Sequence, residues 1–87
     1  MKYLDNKDEE IKKGFYIHLE YNALFYFTGK YDIEGFPIFE IEGGNKKRCS
    51  LYSTLINQLS KLDKENLEEE KKESKERKSW IERKLKN

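Results

Sequence analysis

The sequence is poor in the residues that build covalent cross-links and metal sites. Its 87 residues include one cysteine and one histidine. The single cysteine, Cys49, excludes an internal disulfide and a cysteine-ligated zinc site of the usual kind. The single histidine, His18, leaves too few bases or ligands for a typical hydrolase or metal centre. We therefore predict no catalytic residues, no metal site and no cofactor.

An enzyme remains the third interpretation, because the fold brings distant residues together. Cys49 would be the nucleophile and His18 its base, but no orienting motif accompanies either residue. We expect instead that His18 lies on the outer face of a strand. Cys49 is expected to be a small, buried or half-buried residue where a strand gives way to a helix.

The chain also lacks a long apolar run and a strong net charge. No stretch approaches the ~18 apolar residues of a membrane helix, and the first residues lead into charges rather than a signal peptide. Lys and Arg number 18 against 17 Asp and Glu, a formal net charge of +1. That balance argues against nucleic-acid binding through bulk charge. We predict a cytoplasmic protein without membrane contacts.

Aromatic and charged residues are segregated along the chain. Ten of the 12 aromatic residues precede residue 50, whereas 18 of the 27 residues from 61 to 87 are charged. We predict three segments on this basis. Residues 1–13 are a polar lead, either a short helix or a frayed end; residues 14–62 are a compact domain; residues 63–87 are a charged helical extension.

Two periodicities within 14–62 predict an α+β fold. Runs at 15–21, 24–31 and 36–42 alternate with a period of two and are separated by turn residues, which indicates a three-stranded antiparallel meander. A leucine stripe from Ser50 or Ser53 to Leu62 indicates one amphipathic helix across that sheet. The predicted core comprises Phe15, Ile17, Leu19, Phe25, Phe27, Phe39, Ile41, Leu55, Ile56, Leu59 and Leu62.

Three basic residues, Lys46, Lys47 and Arg48, follow a glycine-rich turn. The segment lacks the spacing of the known nucleotide-binding fingerprints, so a plain surface turn is the simpler interpretation. The alternative is that the triplet contacts an anion or an acidic protein surface.

Tyr16 and Tyr26 are predicted on the sheet face opposite the phenylalanines. As a candidate exposed aromatic face, they would anchor a protein interface or stack nucleic-acid bases. A third possibility is that residues 1–13 or the C-terminal helix cover them.

The charged extension ends in an apolar group formed by Trp80, Ile81 and Leu85. Such residues at the tip of a solvated helix need something to contact. Either they fold back onto the sheet, or they bind a partner or a second copy of the chain. Segregated Lys and Glu faces on the same helix suit an antiparallel homo-oligomer.

Together these features predict a small non-enzymatic binding protein that acts through protein–protein contacts. By analogy of composition, it is expected to be a phage or mobile-element accessory protein or inhibitor that occupies a host protein surface. The alternative is a nucleic-acid-binding module that uses Lys46, Lys47, Arg48 and the sheet-face tyrosines.

Overall fold

The computed structural model describes residues 2–43 and 49–86, and this part of the chain has an α+β fold with five strands and three helices. The strands form an antiparallel sheet in the order β4-β3-β2-β1-β5. The α+β class is confirmed, but the sheet has an edge strand on either side of the three predicted strands. In chain order the elements are β1 (Gly14–His18), β2 (Ala23–Tyr31), β3 (Pro37–Ile41), β4 (Cys49–Ser50), α1 (Ser53–Ile56), β5 (Leu59–Lys61), α2 (Lys64–Lys71) and α3 (Lys75–Lys86).

The register between β1 and β2 decides which side chains share a face. Tyr16 pairs with Phe25, and Ile17 pairs with Leu24. Because directly paired residues point to the same side of a sheet, Tyr16 lies on the face of Phe25, opposite Ile17. The predicted phase of β1 was therefore wrong by one residue. Both faces of β1 are apolar, so alternation alone could not distinguish them.

The first face of the sheet is covered by residues from the N-terminal segment and from around α1. The N-terminal segment is a hairpin-like loop: Leu4 bridges to Glu10, and the Ile11 N–H donates to the Tyr3 carbonyl at 3.0 Å. This loop replaces the short helix or frayed end expected for residues 1–13. The buried residues of this first core are Tyr3, Ile11, Tyr16, Phe25, Phe27, Phe39, Leu51, Ile56 and Leu59.

The helix that was predicted to reach Leu62 ends at Ile56. The prediction of helix for the residues from 57 to 62 was therefore wrong. After a turn the chain forms β5, where Ser60 pairs with Ile17 of β1. Leu59 belongs to the first core, whereas Leu62 packs on the opposite face. The leucines therefore supply two cores instead of forming one helical stripe.

The second face of the sheet is covered by α3, which folds back onto it. The Trp80 ring lies 5.7 Å from the Phe15 ring in an edge-to-face arrangement, and Ile81 is fully buried beside it. Of the two interpretations of the apolar tip, fold-back is the one observed for Trp80 and Ile81. The buried residues of this second core are Phe15, Ile17, Leu24, Leu62, Trp80 and Ile81.

Some core assignments also need correction. Leu19 was predicted to be buried but is 68% exposed, because β1 ends at His18 and Leu19 begins the following turn. Ile41 and Leu55 are only half-buried. The core also extends beyond 14–62 in both directions, since Tyr3 and Trp80 are buried. Independent folding of 14–62 stays a prediction.

Trp80→Ala tests the contribution of the folded-back helix. We expect a loss of about 3–5 kcal/mol in the free energy of unfolding, because the substitution empties the centre of the second core. Leu85→Ala on the same helix is the matched control; Leu85 is 58% exposed, and we expect a change within about 0.5 kcal/mol. Denaturant unfolding of both variants measures the difference. Equal losses would contradict the observed packing of α3.

Candidate protein interface

Asp32 organises the turn between β2 and β3. Its Oδ1 accepts the N–H groups of Glu34 and Phe36, both at 2.9 Å, and its Oδ2 accepts the hydroxyl of Ser50 in β4. Gly35 takes a φ of 92°, a left-handed conformation that suits glycine. The Ser50 hydroxyl, followed by the turn N–H groups, lowers the pKa of Asp32 below its ordinary value. The turn is thereby tied to the sheet edge by an ionised carboxylate.

Four apolar side chains surround this turn, and we call Tyr31, Ile33, Phe36 and Tyr52 the hairpin patch. Ile33 is fully exposed at the tip of the turn, Tyr52 is 68% exposed and Tyr31 is 44% exposed. Phe36 is half-buried, and its ring lies 5.3 Å from that of Tyr52. The patch therefore joins chain segments from the hairpin and from the residues after β4.

The inner edge of the hairpin patch is continuous with the first core. The Tyr31 ring lies 5.7 Å from Phe27 and 6.2 Å from Tyr3, both of which are buried. Burial, with smaller contributions from Glu10 and Tyr3, raises the pKa of the Tyr31 hydroxyl. Phe36 also packs against the first core. These contacts fix the rings of Tyr31 and Phe36, while the side chains of Ile33 and Tyr52 are largely in solvent.

His18 is the last residue of β1 and lies at the end of the β1–β2 pair that is remote from the hairpin patch. Its side chain is buried, although we expected it on the outer face of the strand. Its Nε2 lies 2.7 Å from Oε1 of Gln58, and its Nδ1 accepts the Tyr21 N–H at 3.3 Å. The Tyr21 ring stacks on the imidazole at 4.4 Å. Because Nδ1 accepts a hydrogen bond, the proton lies on Nε2 and is donated to Gln58. Cys49 lies three strands away in the sheet, so the structure does not bring the two residues together.

Arg77 links α3 to three other parts of the chain. Its guanidinium donates twice to the Glu42 carboxylate, once through Nε at 2.9 Å and once through Nη2. It also donates to Glu70 of α2 at 2.6 Å and to the Asn22 carbonyl at 3.0 Å. The hydrogen bonds to Glu42 are the main cause that raises the pKa of Arg77. This buried network fastens the helices to the β1–β2 end of the sheet.

The prediction that Tyr16 and Tyr26 form an exposed aromatic face was wrong. Tyr16 is 1% exposed; its hydroxyl accepts the Lys12 N–H at 2.8 Å, and burial raises its pKa. The ammonium of Lys61 lies 4.8 Å from the centre of the Tyr16 ring. Tyr26 lies on the opposite face, half-buried 4.9 Å from the Phe15 ring. The one-residue shift in the phase of β1 separates the two tyrosines.

The remaining residues predicted to contact a partner are the apolar group of α3 and the basic triplet. Trp80 and Ile81 are buried within the chain, which leaves Leu85 as the exposed member of that group. The basic triplet of Lys46, Lys47 and Arg48 lies outside the described residues. Sequence reasoning missed the hairpin patch, although it recognised the turn at 32–35; the remaining signal was the run of large apolar residues on either side of that turn.

No group of three or more His, Cys, Asp and Glu side chains in the described ranges is placed to hold a metal ion. None of the helices at 2–43 and 49–86 has the length and apolar character needed to cross a bilayer. Comparisons with protein-family models, with curated proteins and with solved structures found no match. The surface itself is therefore the basis for a functional proposal.

Asp32→Asn tests the electrostatic support of the turn. A carboxyl group whose pKa is lowered on folding adds stability above its unfolded pKa, near 3.8, and loses that contribution as the pH falls through the folded value. We expect the stability advantage of the wild type over Asp32→Asn to be present at pH 6 and to shrink below about pH 4. Thermal melts between pH 6 and 2.5 measure it. Parallel curves for the two proteins would contradict the role of Asp32.

Arg77→Met tests the network that fastens the helices. The methionine fills part of the volume but leaves Glu42 and Glu70 in poorly solvated positions without their cation, so we expect a loss of about 3–5 kcal/mol in unfolding free energy. Arg83→Met, at an exposed position of the same helix, is the control and should change stability by less than about 1 kcal/mol. Similar losses in both variants would assign the effect to helix composition instead of to the network.

Proposed function

We propose that this protein is a small non-enzymatic binding module that uses the hairpin patch to contact another protein. The observation that carries the proposal is the exposure of Ile33, Tyr52 and, in part, Tyr31, which the turn at 32–35 and the pairing of β3 with β4 bring to one end of the sheet. The same chain buries residues from both of its end segments, yet these large apolar side chains remain in water. Clustered exposed apolar residues are typical of protein interaction sites.

The geometry of the patch supports a macromolecular partner. Tyrosine is enriched at protein interfaces and contributes a large contact area with few rotatable bonds. The Asp32 hydrogen bonds and the contacts of Tyr31 with the core hold the patch in one arrangement before binding. Such preorganisation lowers the entropy lost on association. The tip of a hairpin is also a protruding shape, which suits insertion into a groove of the partner.

Nucleic acid is the less favourable partner. The proposed stacking pair is unavailable, because Tyr16 is buried and Tyr26 lies on the other face. At the hairpin patch, the carboxylates of Asp32 and Glu34 would repel phosphates. Occupation of a partner's surface requires no catalytic group, and we retain the phage or mobile-element accessory role, acting as an inhibitor, as the biological setting of the proposal.

Ile33→Ser tests whether the hairpin patch binds a protein. Leu19→Ser is the matched control, since Leu19 is also an exposed turn residue but lies at the far end of β2. Wild type and both variants are immobilised and exposed to lysate of the source cell, and retained proteins are quantified by mass spectrometry. We expect at least one protein to bind wild type and Leu19→Ser alike but to bind Ile33→Ser about tenfold or more weakly.

Two results would contradict this proposal. One is that Ile33→Ser retains the same proteins in the same amounts as the wild type. The other is that Ile33→Ser and Leu19→Ser lose them equally, which would indicate general hydrophobic adhesion. Thermal melts of the three proteins verify that each is folded, and light scattering shows whether the partner is a second copy of the chain.

A further inference from the structure

Carboxylates border the hairpin patch on more than one side. Asp32 lies in the turn itself, and Glu34 is exposed directly after Ile33. The charge of Glu10 acts on Tyr31 from the N-terminal loop. Lys30 precedes Tyr31 in β2, and the Lys13 side chain lies beside Gly29 of the same strand. Within the turn itself, residues 31–36 carry two carboxylates and no cationic side chain, which gives the tip of the hairpin a negative potential.

The carboxylates at the turn retain capacity for further hydrogen bonds. An ionised carboxylate offers about four acceptor positions. Asp32 accepts two hydrogen bonds on Oδ1 and one on Oδ2 within the chain, so its carboxylate is held in a fixed orientation. No described residue forms a salt bridge with the Glu34 side chain, which points to solvent with Ile33. The turn therefore offers fixed acceptors beside an apolar surface.

Like the carboxylates, the aromatic rings of the patch favour a positively charged ligand. The negative face of a tyrosine ring attracts cations, and the exposed ring of Tyr52 is held in an edge-to-face contact with Phe36. Arginine combines the required properties: its planar guanidinium stacks on aromatic faces and donates paired hydrogen bonds to carboxylates. Lysine is more strongly hydrated and lacks the planar fork.

We propose that the hairpin patch recognises an arginine-bearing apolar segment of a partner protein. The apolar side chains of that segment cover Ile33 and Tyr52, and the guanidinium lies between the tyrosine rings and the carboxylates of Asp32 and Glu34. This inference rests on the proposed function, and it adds the chemistry of the partner. An acidic protein surface or a phosphate backbone meets repulsion at the same place.

Short blocked peptides test this specificity on the intact protein. The first alternates leucine with arginine; the other two carry lysine or glutamate in place of arginine. Titrations of the isotope-labelled full chain are followed by amide NMR. We expect the arginine peptide to shift amides at 31–36 and 50–52, the lysine peptide to bind more weakly, and the glutamate peptide to cause no shift there.

Charge reversal at the turn provides the matched pair of variants. Glu34→Lys is expected to weaken binding of the arginine peptide by about threefold to tenfold at low salt. Glu20→Lys makes the same change of net charge in the β1–β2 turn, which lies at the opposite end of strand β2 from the hairpin patch. It should weaken binding by less than about twofold. The difference between the variants should shrink at about 0.5 M salt, because exposed charges are screened.

Several results would overturn the inference: no shift with the arginine peptide, equal shifts with the glutamate peptide, or equal weakening by Glu34→Lys and Glu20→Lys. Its failure is distinguishable from failure of the proposed function. If Ile33→Ser loses a captured protein but the arginine peptide shows no preference, the patch binds a protein of other chemistry. If Ile33→Ser retains every captured protein, the binding function of the patch itself is wrong.

Discussion

Both faces of the central sheet are apolar, and neither can be left in water. The register that pairs Tyr16 with Phe25 places large side chains of β1 on opposite faces. A sheet of this kind needs a covering layer on each side, and a chain of 87 residues has little material to provide two. The first layer uses the N-terminal loop and α1, and the second uses α3. This requirement accounts for the positions of the N-terminal loop, α1 and α3.

The Arg77 network follows from the same constraint. An amphipathic helix that covers a sheet face can slide along it unless a directional contact fixes its position. The guanidinium of Arg77 supplies such contacts at the start of α3 by binding the end of β3, the α2 helix and the β1–β2 turn together. Near the other end of α3, the Lys84 ammonium lies 2.7 Å from Oε1 of Glu40. Polar contacts near both ends of α3 therefore help to fix the position of the buried Trp80.

The strands of the meander were predictable because their alternation is bounded by turn residues such as Asn22 and Gly35. The phase of β1 was not, since Phe15 and Tyr16 are both large and apolar and either suits a core. The leucines after residue 50 were misleading for a geometric reason. Residues three apart share a helix face, but in an extended chain they point to opposite sides, and Leu59 and Leu62 use the second geometry.

The candidate site was predictable only in part. The turn at 32–35 has a recognisable composition, but the position of Tyr52 depends on the pairing of β4, which has two residues and is too short to give a periodic signal. The hydrogen-bond partners of Arg77 could not be predicted from the sequence either, because Glu42 lies 35 residues away and the sequence contains many other carboxylates. Long-range pairing of this kind is a property of the folded chain.

The separation of the covering layers along the chain has a consequence during synthesis. β1 is complete at His18, but β5, which pairs with it, and Ile81, which covers its second face, are made much later. At ribosomal rates of about 5–20 residues per second, the interval from residue 18 to residue 81 is about 3–13 s. During that time Phe15 and Leu24 lack their native cover. Apolar surface exposed in this way favours aggregation or chaperone binding of a nascent chain, and the second face of the sheet gains its cover only when α3 has been made.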